Sequence, residues 1–243
     1  MRPNLVYTLF DRLGDLCLPP QCVLCGRAGQ RPALDLCADC AADLPRVPRP
    51  CPRCGLPVAL ESTSDTADCA QCRVAAPPYA GCVVPWLYEF PVSQMVQALK
   101  YEGTLAHARV LGTLLASEAA RLHRGEDALV VPVPLHPRRL QQRGFNQSHE
   151  IARVVARCLH WPLADGALHR TRDTVPQVGL SRAQREQNLH GAFAVEPARV
   201  EGRVVVLLDD VLTTGSTAHA ATSALRAAGA ARVDLVAVAR APG

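Results

Sequence analysis

The chain has 243 residues, 49% of them hydrophobic and 20% charged, enough for one ordinary domain plus a small one and too apolar for a disordered chain. Its formal charge of +4 is too mild to argue for nucleic acid from whole-chain electrostatics. No apolar run reaches the length of a membrane span, and the first sixteen residues, broken by Asp11, Arg12 and Asp15, lack the apolar centre of a signal peptide. We expect a cytoplasmic protein.

Leu5, Leu9, Leu13 and Leu16 lie near helical spacing and predict a short amphipathic helix. Eight of the eleven cysteines then form four C-x-x-C pairs: Cys22/Cys25, Cys37/Cys40, Cys51/Cys54 and Cys69/Cys72. In a reducing compartment such pairs are metal ligands rather than disulfides. Two-residue spacers let both thiolates of one turn face one ion, and two turns complete a tetrahedral site. The segment 59–70 has little to bury, so metal must hold it. We therefore expect two structural zinc ions with no open position for catalysis. Sequential pairing groups Cys22, Cys25, Cys37 and Cys40 around one and Cys51, Cys54, Cys69 and Cys72 around the other; an interleaved arrangement stays open. The ribbons could also touch nucleic acid, but their arginines are balanced by acids. Cys17, Cys82 and Cys158 read as ordinary free thiols.

Ala75-Ala76-Pro77-Pro78 is the natural boundary, giving residues 1–78 as a metal-binding module and 79–243 as the main domain. Cys82 to Tyr88 reads as a strand, and Pro91 opens a helix reaching Lys100, the single lysine of the chain. There a cation complements the helix dipole, although a lone ammonium among arginines also suits a specific need. Gly103 ends that helix, and 104–123 is an amphipathic one. Ala128 to Val133 is an apolar strand whose end, Val133-Pro134-Leu135-His136, leads to Arg138, Arg139 and Arg143. Ligands of open α/β sheets collect beyond the carboxyl ends of strands, and backbone N–H groups with guanidinium forks suit a diphosphate.

The stretch that organises the chain is Arg203 to Ala218, RVVVLLDDVLTTGSTA. Val204 to Leu208 reads as a strand buried on both faces, ending in Asp209 and Asp210. Thr213, Thr214, Gly215, Ser216 and Thr217 follow, a hydroxyl-rich turn opening a helix near 216–228, which makes a phosphate-sized anion site. A phosphate cradle beside two acids suits a phosphorylated sugar with a free diol. A last strand, 233–238, completes an alternating strand–helix pattern and hence a parallel sheet. No P-loop lysine and no Rossmann glycine motif is present.

The acidic pair with its TTGST turn resembles the phosphoribosyl diphosphate (PRPP) signature of type I phosphoribosyltransferases. With the cysteine pairs, LKYEG at 99–103 and RGFNQS at 143–148 in the same order, nearly the whole chain resembles the ComF family of phosphoribosyltransferase-like proteins associated with DNA uptake in competent bacteria. The resemblance implies an α/β type I phosphoribosyltransferase fold, a parallel sheet flanked by helices, with a small amino-terminal double zinc ribbon. It implies that Asp209 and Asp210 hold the ribose hydroxyls, that the 213–217 turn holds the 5-phosphate, and that 133–136, with Arg138 and Arg143, holds the diphosphate with Mg2+. Residues 170–193 would be the segment closing over PRPP, with Gln177, Arg182, Arg185 and Asn188 as contacts. The function implied is displacement of diphosphate at C1 by an unnamed acceptor. A second expectation is a non-catalytic accessory of DNA import, binding PRPP, a nucleotide, single-stranded DNA or DNA-uptake proteins, although only ten aromatic residues are available for stacking.

Overall fold

The computed structural model describes residues 19–30, 34–58, 68–122, 128–171 and 191–241. The expected amino-terminal helix, Cys17, Gln177, Arg182, Arg185 and Asn188 lie outside them.

Four parallel hydrogen-bonded lanes make the central sheet. β6 (Val204–Leu212) and β7 (Arg232–Arg240) are its long members. β3 (Leu129–Pro132) flanks β6, while β1 (Cys82–Val83) and β2 (Trp86–Leu87) pair in succession along the free side of β7. The single strand expected over 82–88 is split because Pro85 offers no N–H to the ladder. Register runs Val130 with Val206, Leu208 with Val236, and β3 ends where Pro132 pairs Leu208.

The runs are apolar because both faces are covered, as parallel sheets require. On one face Val206, Leu208, Val236 and Val238 join a core built with α3 (Val92–Gln97), α4 (Leu105–Ala119) and α6 (Gln147–Leu159). On the other, Val205, Leu207, Leu235 and Ala237 pack with Val200 of the short α7 (Pro197–Val200), with α8 (Ser216–Ala227) and with a two-stranded antiparallel ribbon, β4 (Leu168–Arg170) and β5 (Phe193–Val195). The expected amphipathic helix, α4, is buried on more than one side because it packs both on β7 and against α6, its neighbour on the same sheet face. At Gly112 a Cβ would come within 2.6 Å of Cβ of Val154, so the two helices approach at a distance only glycine allows.

Two short helices, α1 (Ala38–Ala42) and α2 (Ala70–Val74), belong to the cysteine region. That region docks along the outer sheet edge: Val47 N–H donates to Pro85 O, Leu87 N–H to Pro45 O, and Cys82 N–H to Pro52 O. Arg46 stacks on the buried Trp86 ring at 5.8 Å and pairs with Glu118 of α4 at 2.7 Å, while Asp35 pairs with Arg109. No helix among the described residues is long and apolar enough to cross a membrane.

Candidate functional site

Cysteine sulfurs settle the pairing. Cys22, Cys25, Cys37 and Cys40 converge on one point and Cys51, Cys54, Cys69 and Cys72 on another, all sulfurs of a set within 4.8 Å of one another. Tetrahedral zinc with bonds near 2.3 Å requires sulfurs about 3.8 Å apart; Cys25 and Cys37 stand at 3.7 Å and Cys54 and Cys69 at 3.5 Å. The expected sequential arrangement is the one formed, and its donor sets suit zinc. Gly26 and Gly55 follow their second ligands at φ +72° and +68°, each N–H closing the knuckle on Cys22 O or Cys51 O at 2.8 Å. Backbone N–H groups also meet sulfur, Cys40 to Cys37 at 3.4 Å and Cys69 to Cys51 at 3.3 Å. Burial disfavours a thiolate at Cys22, but the N–H groups of Cys37, Leu24 and Cys25 outweigh it and hold the thiol at about 6, poised to take a cation.

The second site is built on β6. The strand does not end at the acids as expected but continues through them to Leu212, pairing Asp209 with Ala237 and Val211 with Ala239. Buried acids inside a strand need partners, and the helical layer supplies them. Ser148, on the first turn of α6, donates its hydroxyl to Asp209 Oδ1 at 3.1 Å, and the same oxygen accepts the Asp210 N–H at 2.9 Å. Lys100 pairs with Asp210 Oδ2. It sits on a π-helical turn, Ala98–Glu102, that continues α3 and is closed by Gly103 at φ +69°. Such a turn re-aims side chains, and of the two expected roles, dipole complement and specific ammonium, the lysine fills the specific one by reaching the acid.

Electrostatics separate the two neighbours. Burial and then the Asp210 charge push Asp209 up to about 7. Burial acts on Asp210 in the same sense, but Lys100 outweighs it and holds that carboxyl below its ordinary value. Lys100 in turn loses to burial and gains more from Asp210, so its ammonium is stabilised. Near neutrality the pair therefore carries one firm negative charge and one shared with a proton. Because the Asp209 value is raised above its unfolded one, the apo protein loses stability as pH climbs from the ordinary carboxylate range to about 7.

Beyond Leu212 the chain turns through Thr213 and Thr214, both exposed, to Gly215 at φ +79°, which precedes α8. Thr214 and Ser216 hydroxyls lie 3.0 Å apart, and the Ser216 N–H faces Thr214 Oγ1 at 3.5 Å. Arg240, the last residue of β7 and 5% exposed, braces the turn by donating Nη1 to Leu212 O at 2.6 Å and to Thr213 O. A helix amino terminus beside two hydroxyls is what an anion needs.

The Val133–His136 segment leaves β3 level with Asp209, since Val133 N–H donates to Leu208 O at 2.8 Å. Pro134, Leu135 and His136 thus follow directly beyond the strand end that lies level with the acids. His136 caps a short helix, α5 (Pro137–Arg143), by accepting the Arg138 N–H at 3.3 Å. Arg138 is exposed. Arg143 ends α5; its guanidinium stacks on Tyr101 at 5.6 Å and donates to Gln147 Oε1 at 2.5 Å. Asn146 caps α6, accepting the Ser148 N–H at 3.1 Å and donating Nδ2 to Val133 O at 3.0 Å, so it ties the turn after β3 to the helix carrying Ser148.

Ser148, Asn146 and Arg240 were not singled out from sequence as site residues, and Lys100 only as a mild oddity. The faint signals were the lone lysine and the Asn-x-Ser spacing of a helix cap.

The sequence has counterparts. Residues 13–73 match the double zinc ribbon domain family and residues 146–243 the phosphoribosyl transferase domain family. DNA utilization protein YhgH of Escherichia coli K12 is 34% identical over 224 residues, 90% of this chain and 96% of that one. Competence protein F of Haemophilus influenzae is 31% identical over 212 residues, 85% and 90% of the two chains. Among solved structures, a glutamine PRPP amidotransferase from B. subtilis, complexed with ADP and GMP, matches 53% of this chain and 25% of its own, at 27% identity and a TM-score of 0.37.

Proposed function

The chain belongs to the competence protein F family of phosphoribosyltransferase-like proteins with a double zinc ribbon, and from that premise we propose that it binds PRPP with Mg2+ and displaces diphosphate from C1 of the ribose. One observation carries the reading. β6 delivers two buried, differently charged carboxylates directly into a hydroxyl-rich turn at a helix amino terminus.

In this proposal the turn at 213–217 takes the 5-phosphate on its N–H groups and hydroxyls. Asp210, kept ionised by Lys100, and Asp209 accept the ribose hydroxyls. Accepting both hydroxyls favours the ionised form of Asp209, so binding releases its shared proton and strengthens as pH rises through about 7. Pro134, Leu135 and His136, with Arg138 and Arg143, hold the diphosphate, and Mg2+ arrives with it to offset its charge. A fixed diol and a fixed phosphate leave C1 as the free end of the sugar, where a nucleophile displaces the leaving group with little reorganisation. Residues 1–78 form the metal-binding unit of this reading and 79–243 the sugar-phosphate unit. The names of the relatives support a role in DNA uptake or use.

The test uses thermal unfolding of the full chain. Mg2+-PRPP should raise the melting temperature, more at pH 8 than at pH 6, and Asp209→Asn with Asp210→Asn should abolish the shift. An undiminished shift in that variant would overturn the site. Diphosphate release from PRPP with added bases or amines separates transfer from binding: protection without release assigns a non-catalytic binder.

A further inference from the structure

One cavity of about 850 Å³ is bordered both by the second cysteine cluster, at Cys54 and Cys72, and by the phosphate turn, at Thr214, Gly215 and Ser216. Arg240 lines it as well and belongs to both walls. Its guanidinium is nearly buried and spends Nη1 on the carbonyls of Leu212 and Thr213, so the turn leans on it.

A buried guanidinium needs negative charge nearby. Among the described residues no carboxylate pairs with Arg240. Burial holds it below its ordinary value, and Cys54 heads the groups that oppose this, followed by Tyr79, Cys82 and Cys69. Four thiolates around one zinc carry net negative charge. A cluster stripped of the ion loses that charge together with the order the metal imposes.

The link is mechanical too. Pro52 O accepts the Cys82 N–H at 3.1 Å, and a Cβ at Gly55 would stand 3.0 Å from Val84 Cγ2, so the second knuckle is seated on the chain at 82–84. Cys82 pairs with Leu235 of β7, the strand that ends at Arg240.

We propose that the second zinc sets the stiffness of the phosphate turn, with Arg240 as the positioning residue between them. Loading the site of Cys51, Cys54, Cys69 and Cys72 keeps the guanidinium on the Leu212 and Thr213 carbonyls. Emptying it slackens the turn and weakens an anion seated there. The coupling is reciprocal, so an anion on the turn tightens the hold on the metal. The anion half rests on the sugar-phosphate reading; the stiffness half stands without it.

Hydrogen exchange on the zinc-loaded full chain and on Cys51→Ser with Cys69→Ser tests the stiffness half with no ligand present. The 211–220 segment, in which the His219 N–H donates to Gly215 O at 2.8 Å, should exchange about tenfold faster in the variant, and α6 at its former rate. Arg240→Gln should speed the same segment by itself, and adding the cysteine pair should then bring less than about twofold more. Arg240→Lys, which keeps the charge and loses the fork, serves where Arg240→Gln fails to fold. Titration calorimetry with ribose 5-phosphate should show binding about tenfold weaker in the cysteine variant. Unchanged exchange at 211–220 in a variant that has lost one zinc, a full second increment on top of Arg240→Gln, or equal affinity for ribose 5-phosphate would overturn the proposal. Ribose 5-phosphate that binds neither chain, with exchange altered as expected, would sink the sugar-phosphate reading and uphold the link between metal and turn.

Discussion

The two cysteine sites share one ligand chemistry and differ in what surrounds it. Cys22 and Cys37 are part of the large core, in one continuous cluster with Leu36, Leu44, Trp86, Val92 and Val238. Cys51, Cys69 and Cys72 form a small cluster of their own, with Leu56 and Val58 half-buried against it. In the first ribbon the hydrophobic effect and the metal act on the same residues. In the second there is too little apolar surface to order the chain, so the metal takes the place of a core. One ligand set can therefore trim a folded surface or create one.

The sharpest break of that comparison removes one metal at a time. Structural zinc contributes about 10–16 kcal/mol in small peptides. Cys51→Ser with Cys69→Ser should lower the zinc content from two to one and open the 51–75 region to protease while the main unfolding transition stays in place. Cys22→Ser with Cys37→Ser should lower the main transition itself. Equal transitions in the two variants would erase the distinction. Next in size, Leu36→Ala, at a fully buried position of the large core, should cost about 2–5 kcal/mol in denaturant titration. Val58→Ala, on the edge of the small cluster, should cost under about 1 kcal/mol because little area is restored to water. The smallest effect belongs to the lash between Arg46 and Glu118. The arginine side chain is 62% exposed, so a double-mutant cycle should return about 0–1 kcal/mol and shrink with salt. A larger coupling would mean that charge, and not the shared core, holds the first ribbon down.

Spacing alone announced both metal sets, because two-residue spacers constrain sulfur geometry locally. Asp209, Asp210 and the turn after them were legible for the same reason: seven or eight consecutive residues carry strand, turn and helix start together. The companions of the acids were not. Lys100 meets Asp210 across 110 residues of chain and Ser148 meets Asp209 across 61, pairings set by the packing of α3 and α6 on one face of the sheet and by no local pattern. The end of β6 was placed too early because acids usually punctuate strands. Here Ala237 and Ala239 of β7 continue the ladder past them. Arg240 was invisible for a related reason. An arginine just past the predicted strand reads as solvated, yet β7 runs on to it and the turn after β6 takes its guanidinium.

Asn146 has a mechanical consequence. Its amide grips the carbonyl after β3 with one end and the first turn of α6 with the other. α6 is a thirteen-residue rod wedged against α4 where Gly112 leaves no slack. Any ligand that tries to reshape the strand-end bend must therefore lean on the entire helical slab. The bend inherits the stiffness of that slab, and a guest there meets a mould already set rather than one it must cast.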